Sequence, residues 1–398
     1  MHVKIIDLMV GISGALDLIS PEVVGHHRRT AEIATTLAHS LNLPEKDLGD
    51  LYLAALLHDI GAFSLKSRID ALDFEFSDIR HAELGYRLVA RVPHLQRPAR
   101  LIRLHHTPWN GIGEDVPADE ALLANILNLA DRVDAADGQP EHIDRLHRLS
   151  GTVFSPRTLS TLTRDILILH HKLGSGSKGS WKDTLEDTII PQSELLDFAD
   201  AFSHVIDFRS RFTATHSCGV AETAAALGRL AGLSETETRT LKLAGLLHDI
   251  GKLAVPSEII EKKGGLTDSE FEIVRSHPGI CETILSGISG FADISHWACQ
   301  HHERLNGRGY PHGLLASQLS TGSRIMAVAD VFTALTEDRP YRAGMSKSQA
   351  LEVLGSMSTS GFLDPTHVSL LHKHYENIDT IRVESQSVAM KRFCSLAA

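Results

Sequence analysis

The peptide Leu53-Ala54-Ala55-Leu56-Leu57-His58-Asp59-Ile60-Gly61 returns, changed at one position, as Leu243-Ala244-Gly245-Leu246-Leu247-His248-Asp249-Ile250-Gly251, 190 positions further on. A chain that repeats itself at such a period folds as copies of one unit. The same offset relates His26, ahead of Ala31-Glu32, to His216, ahead of Ala221-Glu222. The next landmarks keep their order. The offset grows to 196 for His81 against His277 and for His105-His106 against His301-His302, then to 199 for Asp131 against Asp330. Small increments in fixed order are the mark of a duplication followed by short insertions.

Between the copies, Gly174 to Ser180 has the composition of a flexible connection. The boundary is expected near residues 175–190, giving an N-terminal domain over 1–180 and a C-terminal domain over 191–398. Within each copy apolar residues recur at i, i+3, i+4 and i+7, as from Ala221 to Leu230 and from Leu241 to Leu247. Alternating β-branched runs are few, so the pattern predicts an all-α protein with about five or more helices per copy. Ser234 three residues before Glu237, and Thr267 three before Glu270, read as capping boxes at helix starts. The 39 Lys+Arg against 50 Asp+Glu leave a net charge of −11, which disfavours a DNA or RNA polymer as partner and an anionic membrane surface. Asp7, Ser13 and Asp17 interrupt the apolar stretch from Ile5 to Ile19, so neither a signal peptide nor a membrane insertion is expected and the chain reads as cytoplasmic. Self-association into a homo-oligomer is compatible with all of this. The four cysteines, Cys218, Cys281, Cys299 and Cys394, have no close pair in sequence and read as reduced thiols.

The 24 histidines demand an explanation, and isolated His-Asp or His-His pairs are too common at this load to supply one. The ordered set His216, His248-Asp249, His277, His301-His302 and Asp330 is specific, because its spacings recur in the other copy. Imidazole and carboxylate donors suit Fe, Mn, Zn or Ni better than Ca or Mg. Five His and two Asp exceed one tetrahedral shell, so two divalent ions are expected in the C-terminal domain, with one carboxylate able to bridge them.

The segments His248-Asp249-Ile250-Gly251-Lys252, His277-Pro278-Gly279 and His301-His302-Glu303-Arg304-Leu305-Asn306-Gly307-Arg308-Gly309-Tyr310-Pro311, followed by Asp330 and by Asp338-Arg339-Pro340-Tyr341-Arg342, resemble the HD-GYP family. That family is a branch of the HD-domain metal-dependent phosphohydrolases, and the match runs from about Asp207 to the neighbourhood of His374. The resemblance implies two tandem HD-type helical bundles and hydrolysis of a cyclic dinucleotide, chiefly cyclic di-GMP with cyclic GMP-AMP as nearest rival, by an Fe or Mn centre. By the same resemblance His216, His248, Asp249 and Asp330 hold one metal. Asp249, His277, His301 and His302 hold the other, with Asp249 as the bridge. Lys252 matches a catalytic lysine, and Arg339 and Arg342 match positions that contact ligand phosphates. Arg308 and Tyr310 belong to a loop expected at the rim of the site, and both are expected to bind substrate, Tyr310 by stacking on a base. Phe212 stands where some members carry a Glu ligand for a third metal, so two metals are expected rather than three. Water held between two such ions ionises near neutral pH and can attack phosphorus in line.

The first copy keeps His26, His58, Asp59, His81, His105, His106 and Asp131, a second candidate metal site. Ala62 answers Lys252, and Gly113-Glu114-Asp115 answers Gly309-Tyr310-Pro311, which removes a cation and adds two carboxylates where an anion would approach. This copy is expected to be a degenerate HD domain that retains metal affinity without hydrolysing cyclic dinucleotides. Two other readings stay open: an HD phosphohydrolase acting on nucleotides or phosphate esters, and a non-catalytic cyclic dinucleotide receptor or scaffold. Whether hydrolysis stops at the linear dinucleotide or runs on to GMP is not legible.

Overall fold

The computed structural model describes residues 2–18, 24–62, 80–135, 140–163, 185, 187–208, 215–260, 262, 264–338 and 343–397. The expected connection from Gly174 to Ser180 lies outside them. The chain divides into two compact units, His2–Glu194 and Leu195–Ala398, with the division inside the helix Gln192–Phe208. Both units are helical. Among the described residues the β structure is one two-residue ladder, Val3 opposite Ile190 and Lys4 opposite Ile189, and two isolated bridges.

Each unit is organised around a helix that begins with a histidine. In the C-terminal unit His216–Leu230 packs on Glu235–Leu247, on Thr321–Thr336 and on Tyr375–Ala397. In the N-terminal unit His26–Ser40 packs on Glu45–Leu57 and Ala118–Ala135. The apolar stripe read from Leu241 to Leu247 is buried: Leu241, Leu243, Ala244, Leu246 and Leu247 are each less than 5% exposed. Burying side chains of this kind contributes roughly 1.5–3 kcal/mol each and is what holds these helices together. The starts of two helices carry the expected capping boxes. Ser234 Oγ accepts from the Glu237 amide, Thr267 Oγ1 accepts from the Glu270 amide, and each Glu reaches back to the amide of its cap.

A second layer brings the remaining histidines in. His277–Ser286 packs on Ala292–Cys299 and on the short turn Ile250–Ala254 that follows His248-Asp249. The approach is so close that a Cβ on Gly251 would sit 1.9 Å from the His277 carbonyl oxygen, and one on Gly61 would sit 2.1 Å from that of His81. Glycine here is a condition for docking the two segments, in both copies. Cys281 and Cys299, distant in sequence, bring their buried thiols to 2.8 Å. No helix of the described residues is long and apolar enough to cross a membrane.

Candidate metal centres

Helix ends aim the histidines. The last carbonyls of a helix have no intrahelical donor, and in the C-terminal unit three histidines each donate Nδ1–H to such a carbonyl three residues back. These are His248 to Gly245 at 2.8 Å, His277 to Val274 at 2.7 Å and His301 to Ala298 at 2.5 Å. The bond fixes the tautomer and turns Nε2, with its lone pair, away from the helix. His216 opens a helix and has no such carbonyl behind it. Its Nδ1 donates instead to Glu337 at 3.1 Å, and its Nε2 faces Asp330 Oδ1 at 3.1 Å.

The seven residues expected from the sequence converge. His277 Nε2 and His301 Nε2 are 3.3 Å apart, and His302 Nδ1 lies 3.8 Å from Asp330 Oδ2. Asp249 turns one carboxylate oxygen to each side: Oδ2 is 3.4 Å from His248 Nε2, and Oδ1 is 3.4 Å from His277 Nε2. Three overlapping sets have their donor atoms within 4.8 Å of one another: His216, His248 and Asp330; His248, Asp249 and His301; and His277, His301 and His302. Each set could hold a metal ion.

Protonation states suit that chemistry. Burial pushes His248 down to about 4 and His277 to about 3, and it also lowers His301 and His302, so these rings are neutral donors. Burial alone would raise Asp249, but His248, Lys252 and His277 hold it well below the carboxylate range, and His216, His302 and His301 do the same for Asp330. Metal ligation needs neutral imidazoles and ionised carboxylates. His216 differs: burial opposes its charge, yet Glu337 and Asp330 outweigh burial and raise it to about 10.

Around this cluster Lys252 Nζ reaches Asp249 Oδ2 at 2.5 Å while keeping a side chain 27% exposed. The Tyr310 ring packs on that of His302 at 4.8 Å, and the Arg275 guanidinium lies over Tyr310 at 5.1 Å. Glu303, 2% exposed, accepts the amides of His312, Gly313 and Leu314 and thereby ties the loop that carries Tyr310 to the His301-His302 segment. Gly309 runs against that segment so closely that a Cβ would lie 2.4 Å from the Glu303 Cα. Arg308 is exposed. Phe212, Arg339 and Arg342 lie outside the described residues. Sequence reasoning missed Glu337, Glu303 and Arg275.

The N-terminal unit repeats the construction. His58 donates Nδ1–H to Ala55 at 2.8 Å and His105 to Ile102 at 2.5 Å, while His26, first in its helix, uses Asp134 at 2.7 Å. Asp134 is itself held by Arg29 Nε at 2.7 Å. His26 Nε2 lies 3.4 Å from Asp131 Oδ1, and Asp59 again faces both ways, Oδ2 3.6 Å from His58 and Oδ1 3.5 Å from His81. Two sets could hold a metal ion here: His26, His58 and Asp59; and Asp59, His81, His105 and His106. Asp59 Oδ1, His105 Nε2 and Asp131 Oδ2 are buried without a hydrogen-bond partner among the described residues, and orphaned donor atoms of this kind fit a metal ion. Ala62, in the place of Lys252, is fully buried.

Residues 200–367 match a family model described as HD domain, and residues 23–136 match a second one with the same description. A 3'3'-cGAMP-specific phosphodiesterase 1 of Vibrio cholerae serotype O1 is 30% identical over 377 residues, covering 89% of this chain and 88% of the relative. The phosphodiesterase 3 of the same description and organism is 27% identical over 87% of this chain and 90% of its own. A cyclic di-GMP phosphodiesterase of Pseudomonas aeruginosa is 41% identical, but over 39% of this chain and 37% of its own. A crystal structure of a cyclic GMP-AMP specific phosphodiesterase from V. cholerae superposes with a TM-score of 0.63 at 24% identity, covering 94% of this chain and 98% of that one. That likeness speaks for the fold.

Proposed function

Because the chain belongs to the HD-GYP branch of the HD-domain family and carries two HD domains in tandem, we propose that it is a metal-dependent phosphodiesterase whose C-terminal unit hydrolyses a guanine-containing cyclic dinucleotide. The observation that carries the reading is a combination that, among the described residues, only that unit shows: seven converging His and Asp donors with a lysine ammonium 2.5 Å from the central aspartate. His216, His248, Asp249 and Asp330 would hold one divalent ion. Asp249, His277, His301 and His302 would hold the other, and the two-sided carboxylate of Asp249 supports its role as bridge. Fe or Mn suits this donor set. When bound, such a pair supplies an ionised water near neutral pH and neutralises charge on the phosphoryl oxygens.

The chain's own residues do the rest. Attack forms a new P–O bond and breaks one bridging P–O bond of the ring, and the leaving oxygen needs a proton. Lys252, half-buried beside Asp249, is the group with a proton to give and a positive charge to hold against the phosphate. Tyr310, half-exposed beside the cluster with its ring in contact with His302 and Arg275, would meet a base of the substrate. The Glu303 carboxylate holds the loop that carries that ring by accepting the amides of His312, Gly313 and Leu314. Glu337 orients His216 and strengthens it as a donor.

Among substrates, 3'3'-cGAMP ranks first: the relatives that match this chain over nearly nine-tenths of its length carry that specificity in their descriptions, whereas the cyclic di-GMP phosphodiesterase of P. aeruginosa matches 39% of it. The reading needs neither a membrane anchor nor a nucleic-acid polymer, and it takes the cytoplasm as compartment. The test is anaerobic loading with Fe(II) or Mn(II) and chromatography of 3'3'-cGAMP, cyclic di-GMP and cyclic di-AMP after incubation. We expect a linear product from 3'3'-cGAMP, slower or no cleavage of cyclic di-GMP, and none of cyclic di-AMP. Stable binding of a cyclic dinucleotide by metal-loaded protein without turnover would leave a receptor in place of the enzyme.

A further inference from the structure

The residue after the second aspartate separates the two clusters more deeply than the loss of Lys252 does. In the N-terminal unit it is Arg132, 1% exposed and among the largest fully buried side chains of the protein. Its Nη2 donates to His106 Nδ1 at 3.1 Å, and its Nε lies 3.7 Å from Asp131 Oδ2. In the C-terminal unit the same place is Val331, which offers no donor. There His302 Nδ1 faces Asp330 Oδ2 at 3.8 Å.

A neutral imidazole has one lone pair in the ring plane, because its other nitrogen carries the proton. Arg132 keeps its protons at any relevant pH, so it can only donate. Once His106 Nδ1 accepts from Arg132, Nε2 holds the ring proton and neither nitrogen is left to bind a cation. His106 therefore cannot serve as a ligand while the arginine bond stands, although its spacing and position match those of His302. The pocket formed with Asp59, His81 and His105 falls from four donors to three, beside a fixed positive charge. The pocket of His26, His58, Asp59 and Asp131 keeps its full set, and its His26 keeps a supporting carboxylate in Asp134, as His216 keeps Glu337.

We propose that the N-terminal unit is a mononuclear site, taking one divalent cation at His26, His58, Asp59 and Asp131, and that the Arg132 guanidinium stands in for the second. The proposal rests on the metal reading of both clusters, and its test separates the two. Full-length protein is loaded with Mn(II) alone, gel-filtered, and its metal counted by elemental analysis, beside a His248→Ala/Asp249→Ala variant that removes the central donors of the C-terminal cluster. We expect three ions per chain in the parent and one in the double variant. Adding Arg132→Val to the double variant should raise the count to two, because His106 is released. Adding His106→Ala instead should leave it at one, and this second variant keeps the test sound if the arginine change unfolds the unit, which circular dichroism would reveal. A fall in the count when His106→Ala is added, from whatever value the double variant shows, would mean that His106 ligates and would overturn the proposal. A count of zero in the double variant with two in the parent would overturn it while leaving the C-terminal enzyme intact. No ions in the parent would remove the metal reading itself.

Discussion

The two clusters of this chain share a construction and differ in the side chains set around it. Both aim their histidines with helix-end carbonyls, both split an aspartate between two groups of donors, and both dock the His-Asp turn through a glycine that admits no Cβ. The C-terminal cluster adds Lys252 against Asp249 and Tyr310 against His302, where the N-terminal one has a buried Ala62 and an arginine that takes His106. On the proposed assignment, metal-ligand spacing outlasts the chemistry it served, because the helices that present the ligands are also the core that folds the unit.

Giving the C-terminal cluster a side chain of the N-terminal one is the sharpest way to break this comparison. Lys252→Ala, which gives the C-terminal site the residue of its partner, should lower kcat about 100-fold or more while leaving KM and metal content near those of the parent, as expected when a general acid is lost. A KM effect alone would assign Lys252 to binding. Gly251→Ala should drive its Cβ into the His277 carbonyl, and forced overpacking of this kind costs about 1–3 kcal/mol or more. The signature is a lower Tm of the C-terminal unit together with loss of its bound metal, and Gly61→Ala should do the same to the N-terminal unit alone. Glu337→Gln should weaken metal binding at His216 by about 10- to 100-fold, the usual cost of removing a carboxylate behind a ligating histidine. A chelator competition read by metal content measures it, and Asp134→Asn is the matched change in the other cluster. Tyr310→Ala should have the smallest effect, a KM raised about tenfold with kcat little changed, in keeping with the loss of one stacking partner. An unchanged KM would mean that the ring serves His302 rather than substrate.

The repeat, the helices and the fourteen clustered His and Asp side chains were legible in the sequence, because helix-period patterning and local capping such as Ser234 with Glu237 are properties of short segments. The residues that support the donors were not. Glu337 meets His216 across 121 positions, and only its place two turns beyond Asp330 hinted at a shared face. Asp134, one turn beyond Asp131, follows the same logic. Nothing around Arg132 marks it as a core residue, since a guanidinium in a helix is ordinarily solvated, and its burial is decided by which rings surround it. Glu303 looked like one letter of a motif until three amides of its own loop closed on it. Cys281 and Cys299 meet only because their two helices pack. Arg308, by contrast, was legible as part of the loop and is exposed.

The central claim is that one of two look-alike clusters does the chemistry. It is tested most directly by following 3'3'-cGAMP turnover with metal-loaded parent protein, with His248→Ala/Asp249→Ala and with His58→Ala/Asp59→Ala, under one set of conditions. The account predicts that the change at 248 and 249 lowers turnover by about 1,000-fold or more, from the several kcal/mol that metal ions supply to such a reaction, while the change at 58 and 59 leaves a folded, active enzyme. Equal loss from both changes in folded protein, or loss from the N-terminal change alone, would contradict it.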